Sequence, residues 1–331
     1  MELPAKPVPP ALVEFIKKGK KFLIAGHKEP DGDCVGSQIA LGSVLKRMGK
    51  EAILCSAGPF KRAEVKKYES LFIAAPLEKE SALVIIVDCS SFDRTGDLAP
   101  HLEGLPYAVV DHHESGENAF SINSASEPYY IDVNAPSAAF LVFRLIEALG
   151  MKPVKEEAEL LFLGLCTDTG FFRHVDSGGA GTFEAAAALI RCGADPKAAF
   201  TAINGGKSLN SRRLLGNVLA RAESFFGGKL LFSTEEYEDI SRFGFESRDS
   251  DSLYQLLQTV AGVEAIVIIR QESPENCSVG LRSRDSVDVG SIAALYGGGG
   301  HKNASGFAVK DTISGLKPKL LKTFENIFGN F

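Results

Sequence analysis

The hydrophobic pattern of the N-terminal part of the chain changes from short apolar runs to helical spacing and back. The runs are rich in Val, Ile and Leu, and they predict strands at Lys21–Gly26, Ala52–Cys55, Ala82–Val87 and Tyr107–Val110. Helical patterns separate the first three runs, and others follow at Ser137–Leu149, Lys155–Cys166 and Ala180–Cys192. Strands that alternate with helices predict an α/β fold built on a parallel sheet.

The C-terminal part has a different organisation. Residues 197–225 are helical in pattern and polar enough to connect two domains, and further strands are predicted at Lys229–Phe232, Ala265–Arg270, Cys277–Leu281 and Ala304–Val309. We therefore predict a parallel-sheet domain over 1–196, a helical linker over 197–225 and a smaller mixed α/β domain over 226–331. The length of 331 residues agrees with two domains of about 150 residues each.

Composition narrows the class of protein. Hydrophobic residues make up 45% and charged residues 24%, which is typical of a globular chain. The net charge of −6 disfavours duplex DNA as a ligand. The six cysteines form no C-x-x-C pair, so they predict neither a zinc ribbon nor a dithiol redox site, and a reducing, cytoplasmic location is expected. Because no apolar run approaches about 18 residues and the first residues lack the apolar core of a signal peptide, we expect neither a membrane span nor secretion.

Acidic and imidazole side chains follow the predicted strands at the points where the strands end. The residues are His27, Asp31 and Asp33 after the first strand, Asp88 after the third, Asp111, His112 and His113 after the fourth, and Asp168 at the end of a helical run. Because the carboxyl ends of parallel strands share one edge of the sheet, the loops that leave them would bring these groups together. The pattern predicts a metal site at this edge.

The ligand types indicate which ions would bind. Imidazole and carboxylate without a set of thiolates favour Mn²⁺, Mg²⁺ or Fe²⁺ over a structural zinc site. These ligands are more numerous than those that one catalytic ion retains, so two ions are expected. Asp88, alone at its strand end, suits the position of a ligand that bridges them. Three of these groups also have a simpler interpretation, because residues 31–33 could be no more than a turn with an N-cap, Asp88 could be a solvated loop residue, and Asp168 could simply cap a helix. Asp111, His112 and His113 together are harder to explain in this way.

Four motifs, taken in order along the chain, resemble those of the DHH phosphoesterase superfamily, and within it the bacterial nanoRNase and pAp phosphatase (oligoribonuclease-like) proteins. They are His27-Lys-Glu-Pro-Asp-Gly-Asp-Cys-Val-Gly-Ser37, Val87-Asp88 with the following Ser-Ser-Phe-Asp-Arg94, Asp111-His112-His113, and Thr167-Asp-Thr-Gly-Phe-Phe-Arg173. Near the C-terminus, Gly280-Leu-Arg-Ser-Arg284 and Gly297-Gly-Gly-Gly-His301 resemble the DHH-associated domain of these enzymes.

The resemblance implies a role for each site residue. One metal would be held by His27, Asp31 and Asp88, and a second by Asp33, Asp88, His112 and Asp168; Mn²⁺ is the expected ion. Asp111 would orient a neighbouring ligand, and His113 would face the scissile phosphate either as an acid or as a phosphate donor.

The C-terminal motifs imply a substrate-binding role for the second domain. Four ligand carboxylates neutralise two divalent ions, so the phosphates of a substrate need further positive charge. Arg282, Arg284 and His301 would supply it, since an arginine can grip phosphate oxygens with two parallel hydrogen bonds. Gly298, Gly299 and Gly300 would let the backbone approach an anion closely.

The implied activity is two-metal hydrolysis of phosphate esters. Short single-stranded RNA, linear dinucleotides of the pApA type and 3′-phosphoadenosine 5′-phosphate (pAp) would be the substrates, cleaved to mononucleotides or dephosphorylated, and a homodimer is expected. Two alternatives stay open at this point. One is a DHH-type inorganic pyrophosphatase, which has a different C-terminal domain, and the other is a nucleotide sensor that binds a dinucleotide without cleaving it.

Overall fold

The computed structural model describes residues 6–75, 82–113, 128–284 and 286–329. The chain forms two compact units, Met1–Gly206 and Lys207–Phe331. Their boundary lies inside the segment 197–225 that the sequence predicts as a linker. Within the described residues, no helix combines the length and the apolarity that a membrane span requires.

The first unit contains a parallel five-stranded sheet, as predicted. Its strands are β1 (Lys21–Ala25), β2 (Glu51–Cys55), β3 (Leu83–Val87), β4 (Tyr107–Asp111) and β5 (Tyr129–Ile131). They lie in the order β2-β1-β3-β4-β5, with parallel register throughout. The first four agree with the predicted strands, whereas β5 has only three residues, which is too few for an apolar pattern to indicate a strand.

Helices cover both faces of this sheet. They are α1 (Pro10–Lys18), α2 (Gly32–Arg47), α3 (Ala63–Lys66), α4 (Ala99–Leu102), α5 (Ala138–Ala148), α6 (Lys155–Asp168), α7 (Ala180–Arg191) and α8 (Pro196–Asn204). Alternate residues of β1 enter different cores: Ile24 packs in the cluster that contains α2, α5 and α6, and Leu23 packs in the cluster on the opposite face. Because both faces are buried, the strands are almost continuously apolar.

Two features fix α2 at the edge of the sheet where the strands end. The buried Gln38 amide donates hydrogen bonds to the carbonyls of Ile24, at 2.8 Å, and Cys55, at 3.0 Å, which ties α2 to β1 and β2. Gly36 lets α2 approach α6, since a Cβ atom at this position would lie 2.4 Å from the Leu160 carbonyl oxygen. The start of α2 is therefore held against both the strands and α6.

The second unit is a mixed six-stranded sheet with helices on both faces. Its strands are β6 (Glu223–Phe225), β7 (Leu230–Glu235), β8 (Ala265–Ser273), β9 (Asn276–Ser283), β10 (Gly299–His301) and β11 (Ala304–Val309), in the order β10-β11-β9-β8-β7-β6. Only β7 and β8 pair in parallel. The helices are α9 (Leu209–Ala220), α10 (Tyr237–Phe243), α11 (Ser250–Gln258), α12 (Val289–Leu295) and α13 (Ile313–Phe328). Alternation along β8 places Ile269 in the core with α13 and Ile268 in the core with α11.

Candidate functional site

The strand ends bring the predicted metal-binding residues of the first unit to one edge of the sheet. Asp88 directly follows β3, Asp111 is the last residue of β4, and Asp168 is the last residue of α6. Asp31 is the N-cap of α2, and its Oδ1 accepts hydrogen bonds from the backbone N–H groups of Asp33 and Cys34, both at 3.1 Å. The helix-capping interpretation of Asp31 is therefore correct, whether or not this residue also binds a cation.

Asp88 lies at the centre of the site. Its Oδ2 is 3.3 Å from Nε2 of His27, and its Oδ1 is 3.4 Å from Nε2 of His112. The residue is only 2% exposed and has a φ of 59°, which is uncommon for a residue other than glycine. The two carboxylate oxygens face two different histidines, and this is the arrangement expected of a carboxylate between two cations.

The denser group of ligand atoms belongs to Asp33, Asp88, His112 and Asp168, and one atom from each lies within 4.8 Å of all the others. His112 Nε2 is 3.0 Å from an Asp168 oxygen and 3.9 Å from an Asp33 oxygen. Both His112 Nε2 and Asp88 Oδ1 are buried, and neither has a hydrogen-bond partner in the part of the chain that the structure describes. A cation between these atoms would satisfy both, so the donor set fits a divalent metal.

Protonation compensates the negative charge of this group in the metal-free protein. Burial, followed by the charges of Asp168 and Asp88, raises the pKa of Asp33 well above its ordinary value. Burial lowers the pKa of His112, but the neighbouring carboxylates of Asp168 and Asp88 outweigh it and raise this pKa to about 11. Because a metal ligand must be deprotonated, metal binding at this site has to displace protons.

The His27 side of the site is composed differently from the predicted ligand set. His27 Nδ1 is 2.8 Å from the Lys28 carbonyl oxygen, so Nδ1 carries the proton and Nε2 is free to bind. The third ligand atom beside His27 and Asp88 is the Sγ of Cys34. Asp31 lies 3.8 Å from His27 and belongs to none of the ligand groups found among the described residues. Cys34 is in none of the ligand sets that the sequence implies; its position next to Asp33 was the available signal.

Asp33 has a second set of contacts that the sequence does not indicate. Its carboxylate accepts hydrogen bonds from the backbone N–H groups of Ala138, at 2.6 Å, and Ala139, at 2.8 Å, at the start of α5. Gly164 on α6 leaves the space for it, because a Cβ atom there would lie 2.8 Å from the Asp33 Oδ1. The same carboxylate therefore caps a helix and faces the group of metal ligands.

Asp111 pairs with His113, and its carboxylate belongs to none of the ligand groups found among the described residues. Its Oδ1 lies 2.8 Å from His113 Nδ1 and accepts a hydrogen bond from the His112 backbone N–H at 2.8 Å. Burial alone would raise the pKa of Asp111, but the hydrogen bond with His113 lowers it below its ordinary value. The ionised carboxylate can only accept, so the proton of His113 is held at Nδ1. His113 is 35% exposed and can present Nε2 to a ligand.

In the second unit, strand register places two predicted substrate-binding residues on one face of the sheet. His301 of β10 lies opposite Ala304 of β11, which lies opposite Arg282 of β9. Directly opposed residues share a face, so Arg282 and His301 flank the same surface. The adjacent row on this face consists of Gly299, Gly306 and Gly280, which expose the backbone beside the side chains of Arg282 and His301.

The other predicted residues of this unit have distinct positions. Side chains at Gly298 and Gly300 are excluded, because a Cβ atom would lie 2.3 Å from the Gly306 carbonyl oxygen at the first and 2.5 Å from the Ala304 carbonyl oxygen at the second. Gly299, in contrast, faces open space. The Arg284 guanidinium donates a hydrogen bond to the Gln258 carbonyl at 2.8 Å, so its contacts differ from those of Arg282.

Tyr254 of α11 packs against the Arg282 side chain, a contact that the sequence reasoning did not detect. The Arg282 guanidinium carbon lies 4.5 Å from the centre of the Tyr254 ring, a distance that allows a cation–π interaction. Gly280 makes this contact possible, since a Cβ atom there would lie 2.1 Å from the Tyr254 hydroxyl oxygen. The ring therefore restricts the positions that the guanidinium can take.

Comparison with protein families assigns both units. Residues 21–165 match the model of the DHH family, N-terminal domain, and residues 227–330 match that of the DHHA1 domain. A crystal structure of an exopolyphosphatase-related protein from Bacteroides fragilis has the same fold. Its TM-score is 0.76, its sequence is 22% identical, and the match covers 95% of this chain and 93% of that chain.

Two curated relatives extend over most of the chain. The bifunctional oligoribonuclease and PAP phosphatase NrnA of Thermus thermophilus is 31% identical over 288 residues, which cover 87% of this chain and 83% of the relative. The cyclic-di-AMP phosphodiesterase GdpP of Bacillus subtilis is 27% identical over 97% of this chain, which spans about half, 50%, of that relative. With both domain matches and this degree of identity, the chain belongs to the DHH family of phosphoesterases and carries a C-terminal DHHA1 domain.

Proposed function

We propose that this protein hydrolyses short oligoribonucleotides and linear dinucleotides to mononucleotides, removes the 3′-phosphate of pAp, and requires two divalent cations, Mn²⁺ foremost. The observation that carries the proposal is the position of Asp88, whose two oxygens lie 3.3 and 3.4 Å from His27 and His112. A carboxylate that binds one ion does not need its second oxygen to face another histidine. A carboxylate that bridges two ions directs one oxygen to each of them.

The proposed ligand sets are those that the family motifs imply. His27, Asp31 and Asp88 would hold one cation. The second would be held by a set that shares Asp88, namely Asp33, Asp88, His112 and Asp168. Two bound divalent cations supply a nucleophile from water at neutral pH and positive charge for the transition state. Asp88 Oδ1 and His112 Nε2, which are buried without a hydrogen-bond partner in the described part of the chain, support the second set. Cys34 is the residue to test as a replacement for Asp31, because its Sγ lies within the group formed with His27 and Asp88.

His113 and Asp111, the other two predicted site residues of the first unit, would position the substrate or donate a proton to it. His113 would face the scissile phosphate through Nε2, and Asp111 would keep the proton on Nδ1 of the same ring. With this tautomer His113 accepts a hydrogen bond at Nε2 when neutral and donates one when protonated. Asp111 is therefore a positioning residue, while His113 acts as an acid or as a donor to phosphate.

The second unit would bind a phosphate group of the substrate. Arg282 and His301 share a face with the glycine row Gly299, Gly306 and Gly280, so a phosphate can reach the Arg282 guanidinium, the His301 ring and exposed backbone together. Arg284 would contribute charge from its position near Gln258. Recognition that depends on this small surface favours short substrates over structured RNA.

The choice among substrates rests on the relatives and on the second domain. The Thermus relative is named an oligoribonuclease and PAP phosphatase, and its similarity covers both units. The DHHA1 match over 227–330 disfavours the pyrophosphatase alternative. Cyclic di-AMP is a second candidate substrate, because the match to the cyclic-di-AMP phosphodiesterase covers 97% of this chain.

A time course with Mn²⁺ on labelled RNA of two to five nucleotides, pAp, pApA, cyclic di-AMP and pyrophosphate tests the proposal. We expect mononucleotides from the RNA and from pApA, and AMP with inorganic phosphate from pAp. Asp88→Ala serves as the inactive variant, and Asp251→Ala, which removes an exposed carboxylate of α11, serves as its control. Tight nucleotide binding without turnover by the metal-loaded protein would establish the sensor alternative and refute the proposal.

A further inference from the structure

Helix α7 of the first unit has apolar side chains on two opposite faces. One face packs into the core, and its buried residues are Thr182, Ala185, Ala186 and Leu189. On the other face Phe183 is 52% exposed and Ile190 is 43% exposed, with Ala187 between them at helical spacing. The outer face of a surface helix is normally polar, so this apolar stripe indicates a surface that another molecule covers.

Phenylalanine rings extend the apolar stripe beyond α7. The Phe183 ring stacks on the Phe172 ring, with 5.3 Å between their centroids. Phe171 continues the row, because its ring lies 5.7 Å from that of Phe172 and 5.2 Å from that of Phe200 on α8. Phe200 is also 52% exposed. The exposed rings therefore belong to one contiguous patch and are not apolar side chains scattered singly over the surface.

Two residues of opposite charge flank the apolar stripe. Glu184 and Arg191 are exposed, and neither forms an ion pair with the residues that the structure describes. They are seven residues apart, which is about two helical turns, so both lie along the same side of the stripe. A partner that fits this face presents a cation to Glu184 and an anion to Arg191. Glu184 disfavours nucleic acid as that partner, because its charge repels phosphate groups.

A second copy of α7, packed antiparallel to the first, has the chemistry that this face requires. With a two-fold axis at Ala187, a residue three or four positions before Ala187 faces one that is three or four positions after it in the second copy. Phe183 then packs against Ile190 of the second copy, and Glu184 meets Arg191. The paired residues are level to within one residue, about 1.5 Å along the helix axis. The small side chain of Ala187 allows the two backbones to approach closely where the helices cross.

We propose that the protein forms a symmetric homodimer through antiparallel contact of its α7 helices, in which Glu184 of each copy pairs with Arg191 of the other. These two ion pairs select the antiparallel direction, because parallel helices would place like charges side by side. A stable interface buries about 800 Å² on each partner, more than one face of a 12-residue helix supplies, so the exposed Phe200 ring of the same patch is expected at its margin. This interface is independent of the proposed catalytic activity.

Charge reversal in the full chain tests the pairing of Glu184 with Arg191. Glu184→Arg and Arg191→Glu each replace two attractive contacts per dimer by two repulsive ones, so sedimentation equilibrium should show a dimer dissociation constant raised at least about tenfold. The double variant exchanges the two charges and should restore the wild-type constant. An equimolar mixture of the two single variants should also form dimers, because each copy then meets opposite charges.

The matched control reverses two exposed charges on another helix. Glu238→Arg and Arg242→Glu make the same exchanges on α10 of the second unit, and we expect both to leave the dimer dissociation constant unchanged. The melting temperature of each variant, followed by circular dichroism, shows whether it is folded.

A disulfide cross-link tests the position of the two-fold axis. Cys192 is half-buried and the other five cysteines are buried, so Cys192→Ser provides the background. In it, Ala187→Cys should form a disulfide between copies on mild oxidation, because two residues at the crossing point are close enough for one. Ala180→Cys is the control on the same helix. Its two copies would lie about 20 Å apart along the helix axis and should not be linked.

A wild-type protein that is monomeric in solution would overturn the proposal. So would a dimer whose dissociation constant responds to neither charge reversal on α7, or responds equally to those on α10. A folded double variant that dimerises as weakly as the single variants would exclude the pairing of Glu184 with Arg191. The absence of a cross-link through Ala187→Cys would show that any dimer uses another surface.

Discussion

Asp33 is expected to stabilise the fold as well as to bind a cation, and Asp33→Ala measures the first role separately. Its carboxylate accepts hydrogen bonds from the backbone N–H groups of Ala138 at 2.6 Å and Ala139 at 2.8 Å. Alanine leaves both buried N–H groups without an acceptor, at about 1–3 kcal/mol each. Because water can enter part of the vacated space, we expect the free energy of unfolding of the metal-free protein to fall by about 2–4 kcal/mol.

Asp168→Ala is the matched control for this change. Asp168 belongs to the same ligand group, but among the described residues its carboxylate contacts the His112 side chain and accepts from no backbone N–H. In the metal-free protein its removal should cost about 1 kcal/mol or less, the scale of a partly exposed ion pair. Both variants should lose bound metal to the same extent, because both remove a proposed ligand.

The assay is urea unfolding in the presence of a chelator, followed by circular dichroism, together with amide hydrogen exchange of Ala138–Ala148. Asp33→Ala should shift the unfolding midpoint to lower urea and speed exchange at the start of this helix. Equal stability of the two variants, or an Asp33→Ala protein as stable as wild type, would refute the argument that the carboxylate holds α5.

Three further predictions concern the metals and the substrate. Asp88→Ala should abolish hydrolysis of every substrate and release metal, which metal analysis and a product assay would show; near-normal turnover with two ions per chain would contradict the bridging position. Arg282→Ala should retain metal and lose about 1–3 kcal/mol of transition-state binding, measured as kcat/KM, and Tyr254→Leu should lose part of the same amount while Tyr254→Phe recovers it. Because the pKa of His112 is about 11 in the metal-free protein, metal binding near pH 7.5 should release protons. The dissociation constant for the metal should therefore fall about tenfold per unit rise in pH for each proton released. Calorimetry in buffers of different ionisation enthalpy measures this release of protons. A heat of metal binding that is the same in every buffer would contradict the prediction.

The sequence by itself determined the parallel sheet and the edge that carries the chemistry. Strand positions follow from a local pattern of apolar residues, and in a parallel sheet the carboxyl ends must meet, so the proximity of Asp88, Asp111 and His112 needed no tertiary information. The charge of the motifs also indicated a cation. The predicted strand Ala304–Val309 has the bounds found for β11. The β5 and β10 strands, with three residues each, were too short for such a pattern.

Only the tertiary structure decided which atoms face each other. The contact between Asp33 and α5 joins residues 105 positions apart, and the ring of Tyr254 meets Arg282 beside Gly280, which lies on the same strand as Arg282. Whether Asp31 or Cys34 lies nearer to the pair of His27 and Asp88 depends on how the first turn of α2 packs. Spacing along the chain fixes the order of such residues and the element they belong to. The distances between their side chains arise from packing between elements, which no local pattern encodes.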